Sequence, residues 1–92
     1  MNKDNFMFII LLLDDPRTVN QLNQKFKRVE SPNFKMQAFG PITQMVGLQH
    51  KGRRPTHIVD MIQDRSHPKF DEWYTNCVLP NAVKAELTRG VL

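Results

Sequence analysis

A short basic run, "HKGRRP" at residues 50–55, holds the residue types that most directly suggest binding chemistry in this chain. Lysine and arginine carry positive charge, and an arginine guanidinium can donate two parallel hydrogen bonds to a phosphate or a base edge. Glycine lets the backbone approach such a ligand closely, because it has no side chain. The run therefore predicts a contact with nucleic acid or a partner through Lys51, Gly52, Arg53 and Arg54. The alternative interpretation is a solvated loop whose charges keep it out of the core.

The positive charge of the chain is concentrated around this run. The chain has 13 Lys and Arg against nine Asp and Glu, a formal net charge of +4. Residues 25–54 contain seven basic residues and one acidic residue, so this third alone carries +6. Such a concentration favours a polyanionic partner, although a few extra charges also keep small domains soluble. We expect four more basic side chains to join the site if the fold brings them to the same face: Lys25, Lys27, Arg28 and Lys35.

The remaining reactive side chains form no recognisable catalytic or metal-binding pattern. Cys77 is the only cysteine, and none of the three histidines lies in an HExxH motif. The sequence also contains no phosphate-binding glycine-rich loop and no nucleophile elbow. We therefore expect a protein that is not an enzyme and that binds neither a metal nor a cofactor. A single cysteine favours a reducing compartment, so we expect a cytoplasmic protein.

The apolar run at residues 6–13 predicts a buried strand. Eight apolar residues cannot cross a hydrocarbon layer of about 30 Å, which needs about 20 residues in a helix. The acidic "DDPR" that follows does not fit the cleavage site of a signal peptide. We expect no membrane association.

A helix is predicted over residues 16–29, with Asp15 as its N-cap and Pro16 at its first position. Its apolar residues recur every three or four positions, which places one face in the core and the basic residues towards solvent. This apolar face consists of Val19, Leu22, Phe26 and Val29.

The second half of the chain predicts further strands and helices. Alternation over residues 34–39 predicts a strand, and residues 42–48 predict its return. Helices are predicted over residues 55–62, 68–78 and 81–90. This order predicts a single α+β domain over residues 1–92, with three to four helices packed on one face of a small mixed or antiparallel sheet of about three strands. The alternative makes residues 6–13 helical and the protein an all-α bundle.

Two functional hypotheses follow from these patterns. The first is a small non-enzymatic binding protein whose basic face engages DNA, RNA or a nucleic-acid-handling protein complex. The second is a protein-directed regulator or inhibitor that acts by occlusion, such as a virus- or mobile-element-encoded inhibitor of a host nucleic-acid-handling enzyme. Trp73 and Tyr74 are predicted interface residues, because Trp and Tyr are enriched at binding hot spots. They would also suit a homo-oligomer.

Overall fold

The computed structural model describes residues 6–45 and 53–90. Its centre is a four-stranded sheet in the order β2-β1-β3-β4, with every neighbouring pair parallel. The elements in chain order are β1 (Met7–Leu12), α1 (Pro16–Val29), β2 (Phe34–Phe39), β3 (His57–Asp60), α2 (Phe70–Trp73), a π-helical turn (Tyr74–Val78), α3 (Leu79–Asn81) and β4 (Glu86–Arg89). Because α2, the π turn and α3 follow one another without a break, we call them together the second helical segment.

This architecture shows that both predicted folds are wrong. The sheet has four strands and is parallel throughout, whereas the sequence predicts three strands in a mixed or antiparallel sheet, and the all-α alternative fails with it. Residues 57–60, predicted to be helical, form β3 between β1 and β4, with Ile58 fully buried. Residues 86–89, also predicted to be helical, form β4 by pairing with β3. The predicted strand over 42–48 is irregular at residues 42–45, and its other residues lie outside the described part.

The prediction for α1 is confirmed in its bounds and for most of its apolar face. Asp15 caps the helix by accepting a hydrogen bond from the Arg17 N–H at 2.9 Å, and Pro16 is the first helical residue. Val19, Leu22 and Phe26 are half-buried, whereas Val29, also predicted to face the core, is 54% exposed. No residue of α1 is fully buried, so the helix packs beside β2 rather than deep in the core.

The core lies between the sheet and the second helical segment. Phe8, Ile10 and Leu12 alternate with half-buried residues along β1 and have no exposed surface. The predicted helical periodicity of residues 70–78 is confirmed, since its buried residues pack against this side of the sheet. Pro80 lies inside the segment, where it has no N–H to donate to the preceding turn. The π-helical turn immediately before it is the kind of local adjustment found in such helices.

The two edges of the sheet differ in how they are covered. On the outer edge of β2, Phe34 exchanges two backbone hydrogen bonds with Ser31, at 2.9 and 3.2 Å. All four residues of β4 are exposed at the opposite edge of the described sheet. No helix within the described residues is long and apolar enough to cross a membrane.

Candidate nucleic-acid interface

The parallel sheet brings basic residues from four separate segments to one end of its strands. Because all strands run in the same direction, their first residues, Met7, Phe34, His57 and Glu86, share an edge. The carboxyl end of α1 reaches the same edge, since this helix connects the end of β1 to the start of β2. We call this end of the strands the basic edge, which is distinct from the outer edges formed by β2 and β4. We define it by seven side chains: Lys25, Lys27, Arg28, Lys35, Arg53, Arg54 and Lys84.

Charge is separated between the two ends of the strands. The basic edge has seven cations and two carboxylates, Glu30 and Glu86, a net of +5 among the described residues. The opposite edge, which we call the acidic edge, carries a net of −2. It holds six carboxylates and four cations, namely Asp14, Asp15, Asp60, Asp64, Asp71 and Glu72 with Arg17, Arg65, Lys69 and Arg89. A six-residue strand spans about 20 Å, so this separation creates a field that a uniform surface would not have.

The cations that α1 supplies are exposed to solvent. Lys25, Lys27 and Arg28 have exposed side chains, and the latter two lie in the last turn of the helix. Positive side chains at this position complement the negative end of the helix dipole. These charges therefore stabilise the helix, and their exposure also leaves them accessible to a polyanion.

Two cations of the basic edge lie over aromatic rings. The Lys35 Nζ is 5.5 Å from the centroid of the Phe8 ring, and the Arg53 guanidinium carbon is 5.1 Å from that of Phe6. Cation–π contacts of this kind contribute about 0.5–1 kcal/mol at exposed sites. They hold the two side chains along the ends of β1 and β2 and limit their rotation.

Sequence reasoning found most of the basic edge but missed one member. Arg54 is exposed beside the start of β3, whereas the predicted residues Lys51 and Gly52 lie outside the described residues. Lys84 was missed because residues 81–90 fit a helical pattern, and only the pairing of β4 with β3 shows that Lys84 lies near Arg54.

Trp73 and Tyr74, the predicted interface residues, are engaged inside the protein. Trp73 is 8% exposed, and its indole N–H donates to the Thr43 carbonyl at 2.7 Å. The Tyr74 hydroxyl donates to Asp60 Oδ2 at 2.7 Å. Trp73 is therefore nearly buried and Tyr74 half-buried, and their role as interface residues stays a prediction.

A buried carboxylate organises the acidic edge. Asp60, the last residue of β3, is 1% exposed and lies 2.5 Å from Arg65 Nη2. Burial alone would raise the pKa of this carboxyl group, but hydrogen bonds from Arg65, Tyr74 and the Ile62 N–H outweigh burial and hold it below its ordinary value. Burial and the bond to Asp60 raise the pKa of Tyr74 to about 12. The sequence analysis does not predict this cluster. The one indication in the sequence is Asp60, an acidic residue at the end of a short apolar stretch.

A shallow cleft of about 350 Å³ lies at the acidic edge, lined by Asp14, Pro41, Ile42, Asp64, Ser66 and His67. The order of the sheet reverses between β1 and β3 at this edge, the position where open parallel sheets usually bind ligands. Here, however, the Asp14 carboxylate accepts hydrogen bonds from the Gln63 and Asp64 N–H groups. These bonds hold the loop that follows β3 in place. In the part of the chain that the structure describes, no three His, Cys, Asp or Glu residues are placed to hold a metal ion.

Comparisons of this chain with protein-family models, with curated proteins and with solved structures gave no match. Functional inference therefore rests on the site itself.

Proposed function

We propose that this chain is a small nucleic-acid-binding protein that acts by occupying its partner through the basic edge and performs no chemical step. One observation carries the proposal: parallel strand order gathers seven of the 11 described cations, from distant segments, at one edge, while six of the eight described carboxylates lie at the other. Side chains at such an edge would neutralise phosphates and release their counterions, the main source of affinity for nucleic acid.

The test is fluorescence anisotropy of labelled duplex DNA, single-stranded DNA and RNA at several salt concentrations. If four to six phosphates of a duplex are contacted, the slope of log K against log salt is about −4 to −5. Neutralising three basic-edge cations, Lys27→Gln, Arg28→Gln and Arg54→Gln, should make this slope shallower by about 2 to 3.

The matched control neutralises three cations of the acidic edge: Arg17→Gln, Lys69→Gln and Arg89→Gln. It removes the same charge and the same residue types, but from positions about 15–20 Å away, beyond the Debye length of about 8 Å at physiological salt. The control should bind nearly as tightly as the original chain. Equal losses in both triple variants would show that net charge alone drives binding, and no binding at low salt would overturn the proposal.

If no nucleic acid binds, the protein-directed hypothesis becomes the stronger one. The position of β4 at the edge of the described sheet favours it, since an extended segment of another protein can add to an exposed strand. A stoichiometric complex that withstands high salt would then be expected, and an added charge at Leu87, such as Leu87→Asp, should weaken it because this side chain is 37% exposed in the edge strand.

A further inference from the structure

A cleft of about 340 Å³ opens at the basic edge, between the start of β3 and the turn that leads into β4. It is lined by Arg54, Pro55, Pro80, Asn81, Val83 and Lys84. Arg54 and Lys84 are 30 positions apart in sequence. They line one cleft because β3 pairs with β4, starting with His57 beside Glu86 and with the Glu86 N–H donating to the Thr56 carbonyl at 2.9 Å.

The walls of this cleft are held by local bonds. The Ala82 N–H donates to the Leu79 carbonyl and the Ala85 N–H to the Ala82 carbonyl, each at 3.0 Å, which fixes the turn around Val83. The Asn81 amide donates to the Cys77 carbonyl at 2.7 Å. The rings of Pro55 and Pro80 also restrict the rotation of the backbone that lines the cleft. A ligand would therefore meet a site that needs little ordering, which reduces the entropic cost of binding.

The charge of this cleft distinguishes it from another cleft at the basic edge. Two cations line it, and none of its described lining residues is acidic. Glu86 is close to Lys84 in sequence but does not line the cleft, and its carboxylate lies 3.6 Å from the His57 Nε2. The second cleft, of about 300 Å³ between α1 and β2, also has two cations, Lys27 and Lys35, but Glu30 lines it as well. An anion would be attracted more strongly to the first cleft.

The same cleft also has an apolar surface that a bare phosphate would not use. Val83 is 79% exposed, and the two proline rings line the cleft beside it. A nucleotide unit combines both chemistries, because its phosphate is anionic and its sugar and base have apolar faces. In a duplex the base faces are stacked inside, whereas in a single strand they are free to make contacts.

The geometry points to the Arg54–Lys84 cleft as the site that binds one nucleotide unit of a single-stranded nucleic acid, with the phosphate between the two cations and the sugar and base against Val83. This inference rests on the proposed function and names its principal contact. It makes single strands the better ligand.

The test measures binding of a fluorescein-labelled ten-nucleotide oligothymidylate and of a ten-base-pair duplex. The double variant Arg54→Gln, Lys84→Gln is compared with Lys27→Gln, Arg28→Gln, which also removes one arginine and one lysine from the basic edge. We expect the cleft variant to weaken single-strand binding about tenfold or more and to make the salt slope shallower by about 0.7, the contribution of the one phosphate that is no longer neutralised. The control pair should weaken binding only about threefold.

A further variant, Val83→Ser, tests the apolar contact without changing charge. It should weaken binding of the single strand with an unchanged salt slope, and it should leave duplex binding as it was. Equal losses in the two double variants, or tighter binding of the duplex by the original chain, would overturn the inference and leave the proposed function intact. Absence of binding to either probe would overturn both.

Discussion

The side-chain amide of Asn23 bonds both backbone groups of Ala38. The Ala38 N–H donates to Asn23 Oδ1 at 2.7 Å, and Asn23 Nδ2 donates to the Ala38 carbonyl at 3.0 Å. Since the Leu13 N–H bonds the carbonyl of Phe39, the backbone groups of Ala38 point away from β1, towards the outer edge of the sheet. Asn23 thus makes the pair of bonds that a neighbouring strand would make, and it blocks the pairing of another chain at Ala38.

Replacing Asn23 by alanine should destabilise the protein and open this edge. Two hydrogen bonds contribute roughly 0.5–1.5 kcal/mol each, and the gain in helix propensity returns about 0.5 kcal/mol, so we expect a net loss of about 1–2 kcal/mol. Urea unfolding followed by circular dichroism measures this loss, and size-exclusion chromatography measures self-association. Asn20→Ala, on the exposed side of the same helix, should cause neither effect. Equal stability of the two variants would contradict the role of Asn23.

The ion pair of Asp60 predicts how stability depends on acid. Because the folded chain lowers the pKa of Asp60 below 3.8, the unfolded chain takes up the proton first as the pH falls. The stabilisation is therefore complete above about pH 4 and is lost as the pH falls through the lowered pKa. Asp60→Asn should lose about 3 kcal/mol at neutral pH, because Arg65 is left without its partner, and its stability should fall less steeply in acid.

The control for this experiment is Asp64→Asn. The Asp64 carboxylate is exposed and accepts its hydrogen bonds from Ser66, so this variant should lose less stability and keep most of the acid dependence. Unfolding at a series of pH values compares the two. The same acid dependence in Asp60→Asn as in the original chain would exclude Asp60 as its source.

Tyr74 can be titrated without ambiguity, because it is the only tyrosine of the chain. Its burial and its bond to Asp60 raise its pKa to about 12, so tyrosinate absorbance should appear well above the ordinary value of 10.0. A raised pKa stabilises the fold below pH 10, and this contribution is lost as the pH rises through about 12. In Asp60→Asn the midpoint should move towards 10.0, and in the urea-unfolded chain it should reach that value. A midpoint near 10.0 in the folded original chain would contradict the buried pairing.

The emission of Trp73 should be insensitive to binding at the basic edge. Trp73 is the only tryptophan, is nearly buried, and lies at the start of the second helical segment, which begins near the acidic edge. We expect weak quenching by acrylamide, and the same quenching after saturation with the oligothymidylate. Stronger quenching or a red shift on binding would place the ligand elsewhere or show that the second helical segment rearranges.

The elements that the sequence predicts well are those whose formation depends on residues close together in the sequence. The bounds of α1 follow from Asp15 and Pro16, and β1 and β2 follow from their apolar patterns. The strand β4 has no such local cause, because its four residues are all exposed and only pairing with β3 orders them. Residues 57–62 fit a helical pattern as well as a strand, so only long-range contacts decide between the two.

The same distinction applies to the binding site. Counting charges identifies the basic residues, but their convergence depends on the strands being parallel, which the sequence pattern does not predict. With an antiparallel sheet, the residues that precede neighbouring strands would lie at opposite edges. Lys84 could have been identified only together with β4, and Asp60 only together with β3.

The opposite charges at the two ends of the strands give the protein a dipole moment directed along the sheet. In the field of a polyanion such a molecule experiences a torque as it diffuses, so it turns the basic edge forwards before any contact forms. Under the proposed function, the bound molecule would present most of its described carboxylates outwards and repel a further polyanion segment from its rear surface. The separation of charge would then make each molecule bind with one orientation and in a single layer, a polarity that net charge alone could not produce.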